Sequence, residues 1–121
     1  MYFETLALEI HSTKSGWEVI KPPRTTGVSG VEHRFTFLAS KDGKMSGFDI
    51  FPEVREVEVL KAFIKEMDSG VTVYLVCLRG RPTDGGMKLA EEYGMKILGP
   101  GDIGAFFDKK TMLVAPKGMK A

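Results

Sequence analysis

The stretch SGVEHRFTFLASKDGKMSGFDIF, residues 29–51, decides the fold of this chain, because it has the pattern of a β-hairpin with a glycine-rich entrance. Two runs rich in Phe, Thr and Ile flank the tetrapeptide KDGK at residues 41–44. An Asp-Gly pair supplies the positive φ angles that a tight hairpin turn requires. The sequence therefore predicts two antiparallel strands, FTFLA and MSGFDIF, joined at this turn.

The two segments that follow the hairpin predict a helix and then a buried strand. EVREVEVLKAFIKEMDSG, residues 53–70, carries apolar residues at helical spacing, which predicts an amphipathic helix that covers the sheet. The run VTVYLVCL, residues 71–78, has almost no polar alternation and is typical of a central strand in a parallel or mixed sheet. The residues predicted to form the sheet-facing side of the helix are Val57, Leu60, Phe63, Ile64 and Met67.

The rest of the chain continues this alternation of helix and strand. GGMKLAEEY is predicted to form a helix that begins at Thr83 or Asp84 and ends at Gly94, and MKIL follows as a strand of the same βαβ unit. Asp102 is expected to cap a short last helix, IGAFF. Ahead of the hairpin, the sequence predicts a helix over YFETLALEIHSTK, a short strand at residues 17–20 and an exposed Thr/Gly/Ser loop at residues 24–30.

Length and composition are those of one ordinary globular domain. Of the 121 residues, 43% are hydrophobic and 27% are charged, which excludes disordered and membrane-embedded classes. The net charge of +1 gives no overall attraction to nucleic acid, so such binding requires a local basic patch. Cys77 lies in the apolar run and is expected to be a buried thiol, which fits a cytoplasmic location. The sequence shows no signal-peptide pattern and no apolar run long enough to span a bilayer.

The predicted domain occupies residues 1–108, and the remaining residues, 109–121, form a C-terminal tail, KKTMLVAPKGMKA. The MLVA segment of the tail fits an edge strand or a contact with a partner chain. Pro116, Gly118 and the lysines instead favour a mobile end. The sequence leaves these alternatives open.

The order of these segments resembles the restriction-endonuclease-like superfamily, in particular archaeal domains related to Mrr-type nucleases. The resemblance spans about residues 3–107. It rests on SGVEHRFTFLASKDGK followed by VEVLKAFIKEMDSG, VTVYLVCL and TDGGMKLAEEYGMKI, and on the opening ALEIHSTKSGWEVIKPP, which is similar to the first helix and strand of such domains. The resemblance implies an α/β protein with a three-layer α/β/α fold and a mixed four- or five-stranded sheet.

In active members of that superfamily, an acidic residue on one strand and a Glu-x-Lys or Gln-x-Lys pair on the next bind a divalent metal and orient the attacking water. This chemistry needs oxygen ligands for Mg²⁺ and a cation that stabilises charge on the phosphate. Here Thr36 stands at the expected position of the first acid, Asp49 replaces the Glu, and Phe51 replaces the Lys. The resemblance therefore implies a degenerate active site with no catalytic residues, no metal ligands and no cofactor.

A displaced carboxylate site is the alternative. In the resembled family a glutamate on the first helix joins the metal shell, and Glu9 has a matching place on ALEI. An active Mg²⁺-dependent nuclease would then use Glu9, Asp49 and Glu53, with Glu9 and Asp49 as the metal ligands and Lys44 as an assisting cation.

The loop after the buried strand is the main candidate for anion binding. Arg79 and Arg81 stand there just before a helix N-terminus, where free amides attract phosphate, although both fit solvated loop positions equally well. His33 fits a structural role that fixes its loop as well as a ligand contact. The candidate anion or nucleic-acid site comprises Arg79, Arg81, Ser29, His33, Arg34 and Lys44, and Lys21, Arg24 and Lys41 extend the basic set along one edge.

The predicted function is that of a non-catalytic nuclease-like domain that binds nucleic acid or serves as a regulatory or assembly module. Nucleic acid is the expected partner, a homodimer is expected from the resemblance alone, and no membrane contact is expected. The alternatives are the active nuclease with the displaced site and a small-molecule phosphate or nucleotide binder that uses the strand-end loop.

Overall fold

The computed structural model describes the backbone of residues 3–114 and the side chains of residues 3–108. These residues form an α/β protein with four helices, a mixed five-stranded sheet and a separate two-stranded hairpin. The helices are α1 (Phe3–Lys14), α2 (Glu56–Ser69), α3 (Asp84–Tyr93) and α4 (Ile103–Val114). The strands are β1 (Glu18–Val19), β2 (Arg24–Thr26), β3 (Glu32–Arg34), β4 (Phe37–Lys41), β5 (Lys44–Phe51), β6 (Thr72–Cys77) and β7 (Lys96–Leu98).

The main sheet has the strand order β1-β4-β5-β6-β7. Strands β1, β4 and β5 pair antiparallel, whereas β5, β6 and β7 run parallel. The apolar run of β6 is thus the buried, parallel strand that its composition predicts, and Cys77 lies fully buried at its end. The β6-α3-β7 segment is the predicted βαβ unit.

The helices cover both faces of this sheet and form three layers. On one face, Val59 and Ala62 of α2 and Ala90 of α3 pack against Leu38 and Leu75 of the sheet. On the other face, Leu8 of α1 and the α4 residues Ile103 and Phe107 pack around Phe48 and the neighbouring rings. The mixed five-stranded sheet between two helical layers confirms the predicted α/β architecture.

The predicted tight turn joins β4 to β5. Asp42 has a φ of 53° and Gly43 a φ of 81°, which are the positive angles that the Asp-Gly pair was expected to supply. The stretch ahead of β4 differs from the prediction. Residues 24–30 were expected to be an irregular loop, but Arg24–Thr26 pair with Glu32–Arg34 as a second, smaller hairpin.

Helix α2 forms where it was predicted, but it packs through the other face. Val59 and Ala62 face the sheet, whereas Val57, Leu60, Ile64 and Met67 of the predicted inner face lie exposed. The physical reason is that polar side chains on the inner face reach partners. Lys65 binds Asp49, Glu66 accepts a hydrogen bond from the amide of Val73, and Glu58 binds Arg55. Polar groups with such partners can be buried at little cost in free energy. A prediction from the positions of the apolar residues alone therefore chose the wrong face of the helix.

The start of α2 is fixed by Glu58. Its carboxylate accepts hydrogen bonds from the backbone amide of Arg55 at 2.9 Å and from the guanidinium of the same residue at 2.7 Å. These bonds from Arg55 lower the pKa of Glu58. The ionised carboxylate also lies in the first turn of the helix, where negative charge is favourable. At the other end, Gly70 stops the helix in a left-handed conformation, with a φ of 77°.

The structure shows which residue caps α3 and which turn Asp102 closes. Thr83 caps α3, because its hydroxyl accepts the amide of Gly86 at 3.0 Å, and Gly94 ends the helix as predicted. Asp102 does not cap α4: its carboxylate accepts the amide of Gly99 and closes a 3₁₀ turn, Pro100–Asp102, just before that helix.

Helix α4 continues to Val114 and so includes the first part of the predicted tail. Residues 112–114 of the MLVA segment are thus helical, and residue 115 onwards lies outside the described residues. The division into a domain over residues 1–108 and a tail over 109–121 stays a prediction. Within the described residues, no helix has the length and apolarity that crossing a bilayer demands.

Candidate functional site

One end of the main sheet collects most of the residues that the sequence marks as functional. Strands β5 and β6 both finish there, and β4 begins there because it runs antiparallel to β5. The register pairs Phe37 with Phe48, so Thr36, just ahead of β4, lies beside Asp49 and Ile50. The loop after β6, with Arg79 and Arg81, leaves from the same end. Carboxyl ends of parallel strands are the common location of ligand sites in α/β proteins.

Asp49 is the buried carboxylate of this end. One of its oxygens accepts the backbone amide of Thr36 at 3.2 Å, and the other lies 2.5 Å from the ammonium of Lys65. The side chains of Asp49 and Lys65 are 9% and 19% exposed. Lys65 also donates to the carbonyl of Arg34 and lies over the ring of Phe35, 4.6 Å from its centroid. The ammonium is therefore held in place by three groups.

This arrangement leaves the carboxylate neutralised. An ammonium at contact distance removes much of the negative charge that attracts a divalent cation. The hydroxyl of Thr36 accepts the amide of Ile50 at 3.2 Å, so it stabilises the β4–β5 connection. Phe51, at the position expected of a lysine, packs with the apolar layer under α2 and α3. Asp49, Thr36 and Lys65 thus join β5, α2 and the segment that precedes β4.

Exposed basic side chains lie on several segments near this end of the sheet. Lys21 follows β1, which runs parallel to β5, and Arg24 pairs with Arg34 just ahead of β4. Together with the loop after β6 they define a surface that we call the basic end, formed by Lys21, Arg24, Arg34, Arg79 and Arg81, all of them exposed.

The turn lysines do not belong to the basic end. Lys44 begins β5 and Lys41 ends β4, so both lie at the opposite end of the sheet. Eight residues of β5 separate the two ends by about 25 Å. The ammonium of Lys41 donates to the carbonyl of Ser15 at 2.8 Å. The structure therefore does not bring Lys41 and Lys44 together with the basic residues at the other end of the sheet.

Arg24 and Arg34 face each other directly across the small hairpin. Like charges in such a pair repel, and Glu32 offsets the repulsion by contacting both arginines, at 3.2 Å and 3.4 Å. These contacts are exposed and therefore weak. The two guanidinium groups remain available to a stronger anion, such as a phosphate that accepts hydrogen bonds from both.

The carboxylates of the displaced-site alternative pair with three different cations. Glu9 lies 3.5 Å from Lys21, Glu53 lies 3.9 Å from Arg79, and Asp49 contacts Lys65. Over the side chains that the structure describes, no three His, Cys, Asp or Glu residues are grouped so that they could hold a metal ion. The structure thus does not bring Glu9, Asp49 and Glu53 together into one site.

Ser29 and His33 serve the small hairpin. Asp68, near the end of α2, accepts the Ser29 hydroxyl at 2.7 Å and the Ser29 amide at 3.0 Å, and it lies 2.6 Å from the His33 ring. Because a carboxylate accepts hydrogen bonds, the ring nitrogen that faces it carries the proton. The hydrogen bond from His33 is the main cause that lowers the pKa of Asp68, followed by that from Ser29. The tip of the hairpin is thereby fixed to α2, away from Arg79 and Arg81.

A groove of about 460 Å³ opens beside the loop after β6. Arg81 lines it together with Glu91 of α3 and Asp102 of the 3₁₀ turn, and apolar residues such as Met87 and Met95 form its wall. Its mixture of one cation, two carboxylates and apolar surface distinguishes it from the rest of the basic end.

The sequence analysis missed two residues that contact predicted site residues, namely Lys65 beside Asp49 and Asp68 beside His33. Lys65 follows Asp49 by 16 positions and Asp68 follows His33 by 35, so no local spacing connects them. The inner face of α2 was the available signal. Once Val59 and Ala62 are placed inward, the helical repeat directs Lys65 towards the sheet as well.

Comparison with known proteins adds a fold but no family. No protein-family model matches the sequence, and no curated protein matches it. A solved structure has a similar fold. It is the crystal structure of AF1548, an archaeal protein of unknown function, with a TM-score of 0.63 and 18% sequence identity. The match covers 97% of this chain and 67% of that chain. At this identity the similarity shows the shared fold alone.

Proposed function

We propose that this chain is a restriction-endonuclease-like domain that binds the phosphate backbone of nucleic acid at its basic end and does not hydrolyse it. The observation that carries the proposal is the ion pair between Asp49 and Lys65. It lies where the resembled nucleases place their acid, and it contacts the backbone of the exposed Arg34. The site therefore combines a neutralised carboxylate with a surface that attracts anions.

The loss of hydrolysis follows from the positions of the charges. Metal-dependent hydrolysis requires carboxylate oxygens that face a cation and a cation that faces the phosphate. In this chain the ammonium of Lys65 faces the carboxylate, while Thr36 and Phe51 occupy the two other positions. The Asp49 carboxylate, which would bind a metal ion, and the Lys65 ammonium, which would stabilise the phosphate, are thus paired with each other.

Binding follows from the charge at the end of the sheet. Three carboxylates form ion pairs with four of the five basic residues there, and Arg24 and Arg34 share one carboxylate, so positive charge remains for an anion although the whole chain is nearly neutral. Phosphate contacts supply sequence-independent affinity that falls steeply with salt. The carboxylates involved are Glu9, Glu32 and Glu53.

The experiment measures the affinity for fluorescent duplex and single-stranded DNA over a series of salt concentrations. Arg24→Ala with Arg34→Ala, and separately Arg79→Ala with Arg81→Ala, should weaken binding of every sequence. Each lost phosphate contact should reduce the slope of log affinity against log salt by about 1. Lys44→Ala is the control for position, because it removes a positive charge at the opposite end of the sheet.

Three results would contradict this proposal. Binding that is insensitive to both arginine pairs but lost in Lys44→Ala would locate the interface at the turn end. Cleavage of the DNA with Mg²⁺ or Mn²⁺ that disappears in Asp49→Ala would establish an active nuclease, which is the first alternative. Wild-type protein that binds neither form of DNA at low salt would remove nucleic acid as the partner.

A second candidate function rests on the groove lined by Arg81. A volume of about 460 Å³ beside the carboxyl ends of β6 and β7 suits a small phosphorylated molecule. A thermal-shift screen with nucleotides and inorganic phosphate tests it. Stabilisation by a nucleotide but not by DNA, lost in Arg81→Ala and retained in Arg24→Ala, would favour this function over nucleic-acid binding.

A further inference from the structure

The outer face of α2 carries a continuous row of exposed apolar side chains. Val57, Leu60, Ile64 and Met67 are 42%, 42%, 55% and 68% exposed. They lie on the side of the helix opposite to the buried residue Ala62. We call these four residues the α2 stripe. Large apolar side chains grouped on one helix face, with the other face already packed, indicate a surface that binds a partner.

The spacing of the stripe is that of a coiled-coil seam. The four residues follow one another at intervals of three, four and three, which places Val57 and Ile64 at a positions and Leu60 and Met67 at d positions of two heptads. The a positions are β-branched, and the d positions hold Leu and Met. β-Branched residues at a with Leu at d favour a two-stranded parallel pair of helices.

The charges beside the stripe agree with the same geometry. Glu56 occupies the g position ahead of the first a residue, and Lys61 occupies the e position five residues later. In a parallel pair of helices, a g residue of one chain meets the following e residue of the other, which brings Glu56 close to Lys61 of the second copy. Two-fold symmetry forms this contact twice. Both side chains lie exposed in the single chain.

An apolar groove continues the stripe at the C-terminal end of α2. Its volume is about 560 Å³, and Val28, Val31, Phe63, Ile64 and Met67 line it. Val28 is 94% exposed although the hairpin tip that carries it is fixed to Asp68. A short seam of two heptads is small for a stable interface, and the groove adds apolar area beside it.

We propose that a second copy of this chain binds along the α2 stripe, with the two α2 helices parallel and related by a two-fold axis. The stripe is self-complementary, as an interface between identical copies requires, because a meets a and d meets d across the axis. The inference concerns α2 and the small hairpin, so it holds or fails independently of nucleic-acid binding.

The first test measures mass by sedimentation velocity over a range of protein concentrations. Wild-type protein should form a dimer, and Leu60→Glu with Ile64→Glu should raise the dissociation constant by at least about a hundredfold, because each copy then buries two unpaired charges. The matched control is Leu6→Glu with Ile10→Glu on α1, where the two residues are 48% and 50% exposed. This control should leave the dimer intact.

The second test determines the direction of the helices. Glu56→Lys alone and Lys61→Glu alone should each weaken the dimer, and the two changes together should restore it. Val57→Cys, at the a position nearest the start of α2, should form a disulfide between copies under mild oxidation. In an antiparallel pair, Val57 of one copy would lie near Met67 of the other, and the two cysteines would not meet.

Three outcomes would overturn the proposal. One is wild-type protein that sediments as a monomer up to its solubility limit. Another is a dimer that withstands Leu60→Glu with Ile64→Glu, and the third is a stripe-dependent dimer in which Val57→Cys fails to cross-link. Because all four side chains are exposed, circular dichroism should show that the variants remain folded.

Discussion

The ion pair between Lys65 and Asp49 allows a stability prediction with a stated magnitude. Lys65→Met keeps much of the aliphatic stem of the side chain but leaves a carboxylate that is 9% exposed without its cation. Breaking a fully buried pair costs about 3–5 kcal/mol. Lys65 is 19% exposed, so water screens part of this effect, and we expect a loss of about 2–3 kcal/mol in the free energy of unfolding.

Urea denaturation measures this loss. A change of this size lowers the midpoint by about 1 M or more for a protein of this length. Asp49→Asn in the Lys65→Met background should recover part of the stability, because the amide no longer carries a buried charge. A double-mutant cycle should give a coupling energy of about 1.5–3 kcal/mol. Lys88→Met, at an exposed position of α3, is the control and should change stability by less than about 0.5 kcal/mol.

The reasoning would be refuted by a coupling energy below about 0.5 kcal/mol, since contacting buried charges are expected to couple more strongly. The same result would also weaken the functional proposal, because Asp49 would then be free of the restraint that the structure assigns to it. A loss of similar size in Lys88→Met would show that methionine substitution itself, and not the ion pair, is responsible.

Further predictions concern backbone contacts and acid stability. Gly86→Ala should lower stability by about 1–3 kcal/mol, because its new methyl group would lie 2.5 Å from the carbonyl oxygen of Val54. Gly85→Ala in the same helix, which meets the end of a flexible side chain, should be neutral in the same thermal melts. Because the pKa of Glu58 is lowered in the folded chain, its contribution is complete above the ordinary carboxyl pKa and is lost as the pH falls through the lowered value. Glu58→Gln should therefore flatten the acid limb of stability against pH, and an unchanged limb would contradict this. The pKa of Asp68 is lowered too, so the protection of hairpin-tip amides against hydrogen exchange should fall over the same acid range in wild type and be low at neutral pH in Asp68→Asn.

The hairpin turn and the central strand were predictable because local chemistry determines them. Asp42 and Gly43 adopt positive φ angles that few other pairs accept, and the apolar run of β6 fits a position buried on both faces. The helix ends at Gly70 and Gly94 belong to the same class, since both residues adopt left-handed conformations. In each case one short segment carries the whole signal.

The orientation of α2 and the small hairpin were not predictable in this way. On the inner face of α2, Lys65 binds a carboxylate of another element, and the tip of the small hairpin, in which Arg24 pairs with Arg34, is held by Asp68 of α2. These contacts join residues that are far apart in the chain. The basic end was likewise hidden, because it depends on β5 and β6 running parallel, which places Lys44 and Arg79 at opposite ends of the sheet.

The outer strands of the main sheet are very short, two residues in β1 and three in β7. An edge strand has unpaired backbone amides and carbonyls, so an extended peptide from another molecule can pair with it. Long, flat edge strands favour amyloid growth for this reason. Because β1 and β7 are so short, few backbone hydrogen bonds to an added strand can form at either edge. We therefore expect the native protein to resist fibril seeding and to recognise other molecules through side chains instead of through added strands.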